Sequence, residues 1–230
     1  GSDLTYSGTA YFNSYNFGDE YPNSINSSAN PNYTINKNNQ YFFVGGSRFI
    51  ESDNAGTNTI AIANGSTVNL GGIFTLGLVS QGHDTTQLNS GTITDKAEKD
   101  DKYIKDMPYD ASGPGVGKYL TINGPTTTYQ IKRSTDGYVG YKVGIAQVYE
   151  NGDGYSQANQ ILENAGTISF FGKRSIGMYT YIPNDHSYAI MQNDKGANIT
   201  LSGEESYGMK LAATTTSDVT FTNEGKINLR

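Results

Sequence analysis

The 230-residue chain has no cysteine, no tryptophan and two histidines, and only 17% of its residues are charged, against a usual ~25%. Without cysteine there is no disulfide framework and no thiolate metal site. The same absence fits a surface protein that must cross membranes unfolded. No run approaches the roughly 18 apolar residues that span a bilayer. No signal peptide is visible, and Gly1-Ser2 reads as a remnant of recombinant expression, so the sequence is expected to be a mature or excised piece. With a net charge of −6, a pI near 4.9 and no basic stripe, nucleic acid is not an expected partner.

What fills the space is Asn, Thr, Ser and Gly, with 28 glycines and 18 tyrosines. Thr and Tyr suit a pleated surface, while Gly and Asn tolerate the positive φ of tight turns. The modest charge and the short regular runs of Ile, Val, Leu and Phe argue for a folded chain rather than a disordered one.

Two segments nearly repeat each other. NAGTISFFGKRSIGMY (164–179) is followed by KGANITLSGEESYGMK (195–210). Ile168 and Ile199, Gly172 and Gly203, Ser175 and Ser206, Gly177 and Gly208, and Met178 and Met209 are all 31 residues apart. A third copy opens at TNEGKINLR, where Ile227 follows Ile199 by 28. Periods of this length mark stacked architectures. Apolar residues alternate at Ile168 and Phe170, Ile176 and Met178, and Ala189 and Met191, which predicts three short strands per repeat and no helix.

Three strands in 28 to 31 residues predict an all-β, right-handed parallel β-helix in which each repeat is one coil. Ile168, Ile199 and Ile227 should then form one inward ladder, and Phe170, Leu201 and Leu229 another. Asn164, Asn193 and Asn223 should stack as an internal amide ladder, with Ser175/Ser206 and Gly177/Gly208 at a tight corner. Fainter copies appear at NGSTVNLGG (64–72) and NSGTIT (89–94), and GKYLTINGPTTTYQI (117–131) offers another alternating strand pair around a Gly-Pro turn. The expected organisation is an irregular capping segment over 1–59 and β-helix repeats over 60–230. A charged insertion at about 95–115 should protrude from a corner and cannot be core. The chain is expected to be cut inside a longer array, with 219–230 its least ordered part or paired with a neighbour.

The search for chemistry finds little. Asp100-Asp101 and Glu204-Glu205 are sequential, so on a strand their side chains would point to opposite faces. Glu204 and Glu205 replace Lys173 and Arg174 one repeat earlier, which marks a variable solvent turn. His83 and His186 lack a partner at metal-ligand spacing. GPGVGK (113–118) lacks the spacing and the Ser/Thr of a phosphate loop, and NGDGYSQ (151–157) is half a calcium loop. The Asn-X-Ser/Thr sites at Asn26, Asn32, Asn64 and Asn198 are expected by composition alone. Neither an enzyme nor a cofactor is expected.

The unit N-x-G-x-I, followed by a glycine and then S-x-G-M-Y, read at Asn164–Tyr179 and again as far as Met209, resembles the repeats of autotransporter (type V secreted) passenger domains. It is most similar to the large fusobacterial-type outer-membrane adhesins, and Ser175-Ile176-Gly177-Met178-Tyr179 matches in full. The resemblance covers about 160–230, with echoes back to about 60. It implies a rod displayed on the extracellular face of the outer membrane, held by a C-terminal β-barrel that this chain lacks. It also implies adhesion to host cells or other bacteria through glycan or protein ligands. The shared motif consists of scaffold positions, so the resemblance carries over no binding residue. The candidate ligand contacts are therefore placed in the charged insertion, at Asp100, Asp101, Lys102, Tyr103 and Tyr109. The rival readings are a polysaccharide-degrading β-helix enzyme and a structural spacer.

Overall fold

The computed structural model describes residues 3–13, 47–52, 57–71, 75–80, 84–100, 107–110, 128–131, 136–138, 140–147, 159–182, 188–213 and 218–230. Among them the chain is all-β apart from one 3₁₀ turn, and it forms a parallel β-helix. The first coil supplies β1 (Leu4–Tyr6), β2 (Thr9–Asn13) and β3 (Ser47–Ser52), and the second β4 (Asn58–Ile62), β5 (Thr67–Gly71) and β6 (Thr75–Ser80). The third supplies β7 (Thr85–Asn89) and β8 (Thr92–Thr94). A long excursion then carries the antiparallel pair β9 (Met107–Asp110) and β10 (Thr128–Ile131) before β11 (Lys142–Gln147) completes the coil. The fourth is β12 (Gln160–Asn164), β13 (Thr167–Phe170) and β14 (Ile176–Ile182). The fifth is β15 (Tyr188–Asn193), β16 (Asn198–Leu201) and β17 (Tyr207–Ala213), and β18 (Asp218–Asn223) and β19 (Lys226–Leu229) open a sixth. The first strands of successive coils stack into a six-stranded sheet, the second strands into another of six, and the third strands into one of five.

The coils begin earlier than residue 60. β1, β2 and β3 pair in parallel with β4, β5 and β6. Leu4, Tyr6, Ala10 and Phe12 alternate as later strands do, but the long stretch between β2 and β3 breaks the fixed spacing that reveals a repeat. Residues 14–46, and residues 111–127 before β10, lie outside the described residues.

The expected ladders form in register. Ala10, Val68, Ile93, Ile168, Ile199 and Ile227 occupy one row of the second sheet. Phe170, Leu201 and Leu229 follow in the next inward row. Burying each aliphatic side chain contributes ~1.5–3 kcal/mol, less in the last coil, where Ile227 is part-buried and Leu229 is 66% exposed. The coils are thin because the third sheet presents glycine to those isoleucines. A Cβ at Gly177 would stand 2.6 Å from the Gly208 carbonyl oxygen and 2.8 Å from Ile199 Cγ2. Gly77, Gly144 and Gly208 meet Ile93, Ile168 and Ile227 in the same way. The first coil exchanges the volumes: Ala10 takes the isoleucine position, while Phe49, between the paired rows of Arg48 and Ile50, takes the glycine position.

The amide ladder is one residue longer than expected. Asn89, Asn164 and Asn193 each donate from Nδ2 to the Oδ1 of the next asparagine at 2.9 Å, and Asn223 accepts the last of the three bonds. The same amide groups reach the backbone carbonyls of Thr167, Asn198 and Lys226 in the following coil. A corner without regular strand pairing thus keeps its polar groups bonded inside the core, where an orphan costs ~1–3 kcal/mol.

Gly177→Ala should destabilise the fold by ~1–3 kcal/mol, because neither the Gly208 carbonyl nor Ile199 has room to retreat. Thr200→Ala, on the outer face of the neighbouring coil, should cost less than about 1 kcal/mol. Chemical denaturation of the two variants checks this; equal stabilities would mean that the glycine row is not a packing constraint.

Candidate functional site

In the third coil the chain does not cross directly from the second sheet to the third. After β8 it turns outward through the 3₁₀ turn Glu98–Asp100, with the Glu98 amide donating to the Asp95 carbonyl at 2.8 Å and the Lys96 amide to Thr94 Oγ1 at 3.1 Å. It returns through residues 136–138 and 140–141 into β11. Two buried acids hold both ends of this excursion. Asp95 accepts from the Phe171 amide at 2.8 Å and the Gly172 amide at 2.9 Å, one coil on. Lys142 Nζ lies 3.1 and 2.9 Å from the Glu98 carboxylate oxygens and donates to the Gly140 carbonyl at 2.6 Å. Asp95, Glu98 and Lys142 are all buried. The expectation that 95–115 cannot be core is therefore corrected at its N-terminal end, because charge does not force exposure when each ion finds its counterpart. Burial raises the Asp95 pKa above the ordinary aspartate range, and the Lys142 charge and the backbone amides pull it part of the way back.

This fastening builds a groove over the outer face of the second sheet, with a volume of about 840 Å³. Its floor is polar: Thr67 and Asn69 from β5, Thr92 and Thr94 from β8, and Ser169 from β13. These belong to two outward rows, Thr67–Thr92–Thr167 and Asn69–Thr94–Ser169, spaced by the interstrand distance of ~4.8 Å. One wall is aromatic. Tyr138 stacks on Phe171 with centroids 5.1 Å apart and planes 18° from parallel, and its hydroxyl donates to the Lys96 carbonyl at 3.3 Å. Lys99 Nζ sits 5.5 Å from the Tyr138 centroid on a favourable cation–π approach. Lys96 and Lys99 are exposed at the rim.

Two of the residues expected at the site fall on described elements. Asp100 ends the 3₁₀ turn, and Tyr109 lies on β9 opposite Tyr129. Asp101, Lys102 and Tyr103 lie outside the described residues. Lys96, Lys99, Tyr138 and Phe171 were missed. The lysines belong to the charged segment already singled out, but Tyr138 and Phe171 carry no local signal, since only the returning chain and the next coil bring them there. His83 and His186, GPGVGK and NGDGYSQ also lie outside the described residues.

Elsewhere, Glu163 and Asp194 form a hydrogen-bonded carboxyl pair on the first sheet. Burial, then the neighbouring Asp194 charge, raises the Glu163 pKa. The corner turns hold Arg174 and Glu205 in left-handed backbone, joined by an exposed ion pair at 2.6 Å, as befits a solvent turn. Among the described residues no group of three or more His, Asp or Glu is arranged to hold a metal ion. No model of a protein family, no curated protein and no solved structure matches the chain.

The raised Asp95 pKa means that the folded state binds this proton more tightly than the unfolded chain does. Its contribution to stability is therefore greatest below the unfolded value and declines as the pH rises through the folded one. Asp95→Asn removes that dependence and leaves one of the two amides poorly satisfied. Relative to this variant, the wild-type chain should gain stability on going from neutral pH to about pH 4. A difference in denaturation free energy that stays flat, or moves the other way, would exclude Asp95 as a buried titrating group.

Proposed function

We propose that this chain is part of the passenger of a type V secreted surface protein, displayed on the outer face of the cell envelope, and that it adheres to host cells or to other bacteria. Its ligand lies in the groove over the second sheet. The observation that carries this reading is the groove itself. The third coil is interrupted after β8, both ends of the interruption are fastened with buried ions, and they raise a wall above a polar floor. A spacer has no need of that feature. The repeat motif resembling autotransporter passengers supplies the setting, and the parallel β-helix is the architecture that the resemblance implies.

The rival reading, cleavage of a polysaccharide, requires an acid and a base converging on the bound chain. Among the described residues lining the groove there is no carboxylate. Asp95 and Glu98, which directly precede Lys96 and Lys99 in the chain, are spent on backbone amides and on Lys142. The arrangement therefore favours holding a ligand over cutting it.

Ser169 faces the groove from the central strand β13, between the inward Ile168 and Phe170. Ser169→Tyr fills the floor on a pleated surface that accepts tyrosine. Beads coated with this variant should lose at least about tenfold of the adherence of the wild-type chain to epithelial cells or partner bacteria, with an unchanged melting midpoint, because a well-packed contact of ~1.4 kcal/mol is a factor of ten. Undiminished adherence by a folded variant would remove the groove from the adhesive function.

A further inference from the structure

Resting on the reading of the groove as the adhesive site, we infer that its ligand is an anionic oligosaccharide. The acidic group lies between Lys96 and Lys99, and the sugar rings run over the hydroxyl and amide rows of the floor. Three observations converge on this class. First, the charged side chains lining the groove, among the described residues, are both lysines, on a chain whose net charge is −6. The acids that precede them in sequence do not neutralise them at the rim. Asp95 points back into the protein onto two backbone amides, and Glu98 is buried against Lys142. The fastening thus turns Asp95 and Glu98 inward, while Lys96 and Lys99 stay exposed at the opening.

Second, the floor offers what a polyhydroxylated chain needs. Thr67, Thr92 and Ser169 carry hydroxyls that both donate and accept; Thr94 Oγ1 accepts from the Lys96 amide and keeps its O–H to donate, and Asn69, whose Nδ2 donates to the Ala10 carbonyl, adds its Oδ1. The rows repeat at the strand spacing, so one pattern of contacts recurs along the axis of the solenoid. Asn69 pairs with Tyr11 in the first coil, and Tyr11 is exposed, which extends the polar row to an aromatic platform. Phe171, half-buried and backed by the buried Tyr138 ring, forms the apolar side against which the C–H face of a sugar ring packs. Because Lys99 is held over that stack, its charge is positioned before the ligand arrives.

Third, the geometry disfavours the other anionic polymers. An acidic peptide binding as an added strand needs an open sheet edge. The floor strand β8 is already hydrogen-bonded to β5 on one side and β13 on the other. Nucleic acid relies on many phosphate contacts along a basic track, and two lysines do not make one.

The test uses the intact chain, immobilised, against a panel of uronate-, sialate- and sulfate-bearing oligosaccharides. Each acid is paired with a neutral counterpart of the same backbone, such as oligogalacturonate with its methyl ester. A poly-glutamate peptide serves as a non-saccharide acid. At least one acidic saccharide should bind about tenfold or more tightly than its neutral partner, and the binding should weaken as salt is raised. Lys96→Gln/Lys99→Gln should abolish that preference at an unchanged melting midpoint, and Ser169→Tyr should abolish binding altogether. Which acids bind separates carboxylate from sulfate.

Equal binding of acidic and neutral partners, or a double lysine variant that binds as the wild type does, would overturn the anionic class. Poly-glutamate binding as tightly as the best saccharide would overturn the saccharide. If no saccharide on the panel binds while Ser169→Tyr still blocks cell adherence, the inference fails and the adhesive reading stands. If Ser169→Tyr leaves adherence intact, the adhesive reading of the groove fails, and this inference fails with it.

Discussion

Parallel hydrogen bonding between coils sets the terms for everything else in this molecule. Once Ile168 pairs with Ile199 and Ile199 with Ile227, each residue of a coil must sit over its equivalent at a separation of ~4.8 Å. A slip of one residue would turn an entire strand inside out. Side chains in such a stack do not need to fit a varied core; they need to fit copies of themselves. Isoleucine piles on isoleucine and asparagine bonds to asparagine, and glycine recurs wherever the third sheet closes on the second. The first coil shows that the constraint acts on total volume rather than on residue identity. There alanine and phenylalanine replace isoleucine and glycine, and Phe49 packs near Phe12 and edge-on to Tyr6.

The same constraint decides where the molecule is free to vary. An insertion within a strand would break the ladder above and below it, whereas one at a corner leaves both strands in place. The excursion after β8 uses that freedom, and β8 and β11 keep their register with the coils on both sides. Its ends are fixed by groups that are expensive to bury alone. The Lys142–Glu98 pair and the Asp95 carboxylate each recover their lost hydration through close partners, and a displaced turn would leave an uncompensated ion inside the protein. Buried charge therefore acts as positional specification at the two ends of the excursion. A glycine is required at the crossing point, because a Cβ at Gly172 would stand 2.3 Å from the Gly140 Cα.

A surface for recognition follows from the combination. The outer rows of a parallel sheet present small polar side chains at a fixed repeat, which is regular but shallow. The wall adds depth, an aromatic stack and two cations to that face. In the proposed reading this is where a ligand is held, with Asp95 and Glu98 bonded to backbone amides and to Lys142 rather than facing it.

The sequence by itself determined the repeat and most of what stacks within it. The 31-residue spacing, the alternation within each strand and the recurring Asn, Ser and Gly positions were enough to place Ile168, Ile199 and Ile227 in one ladder and to expect the amide stack. Each coil consults only its neighbours, so a local pattern carries the global architecture. Strands β1 to β3 escaped because their alternation lacks the fixed interval. The groove was decided only by tertiary structure. Lys96, Tyr138 and Phe171 come from the start of the excursion, its return and the following coil, and no periodicity links them. Nor does composition distinguish an acid that faces water from one bonded to buried amides. Asp95 and Glu98 stand in a run of charges that looks uniformly solvated, and only the arrival of Lys142 and the Phe171–Gly172 amides turns them inward and leaves Lys96 and Lys99 facing out.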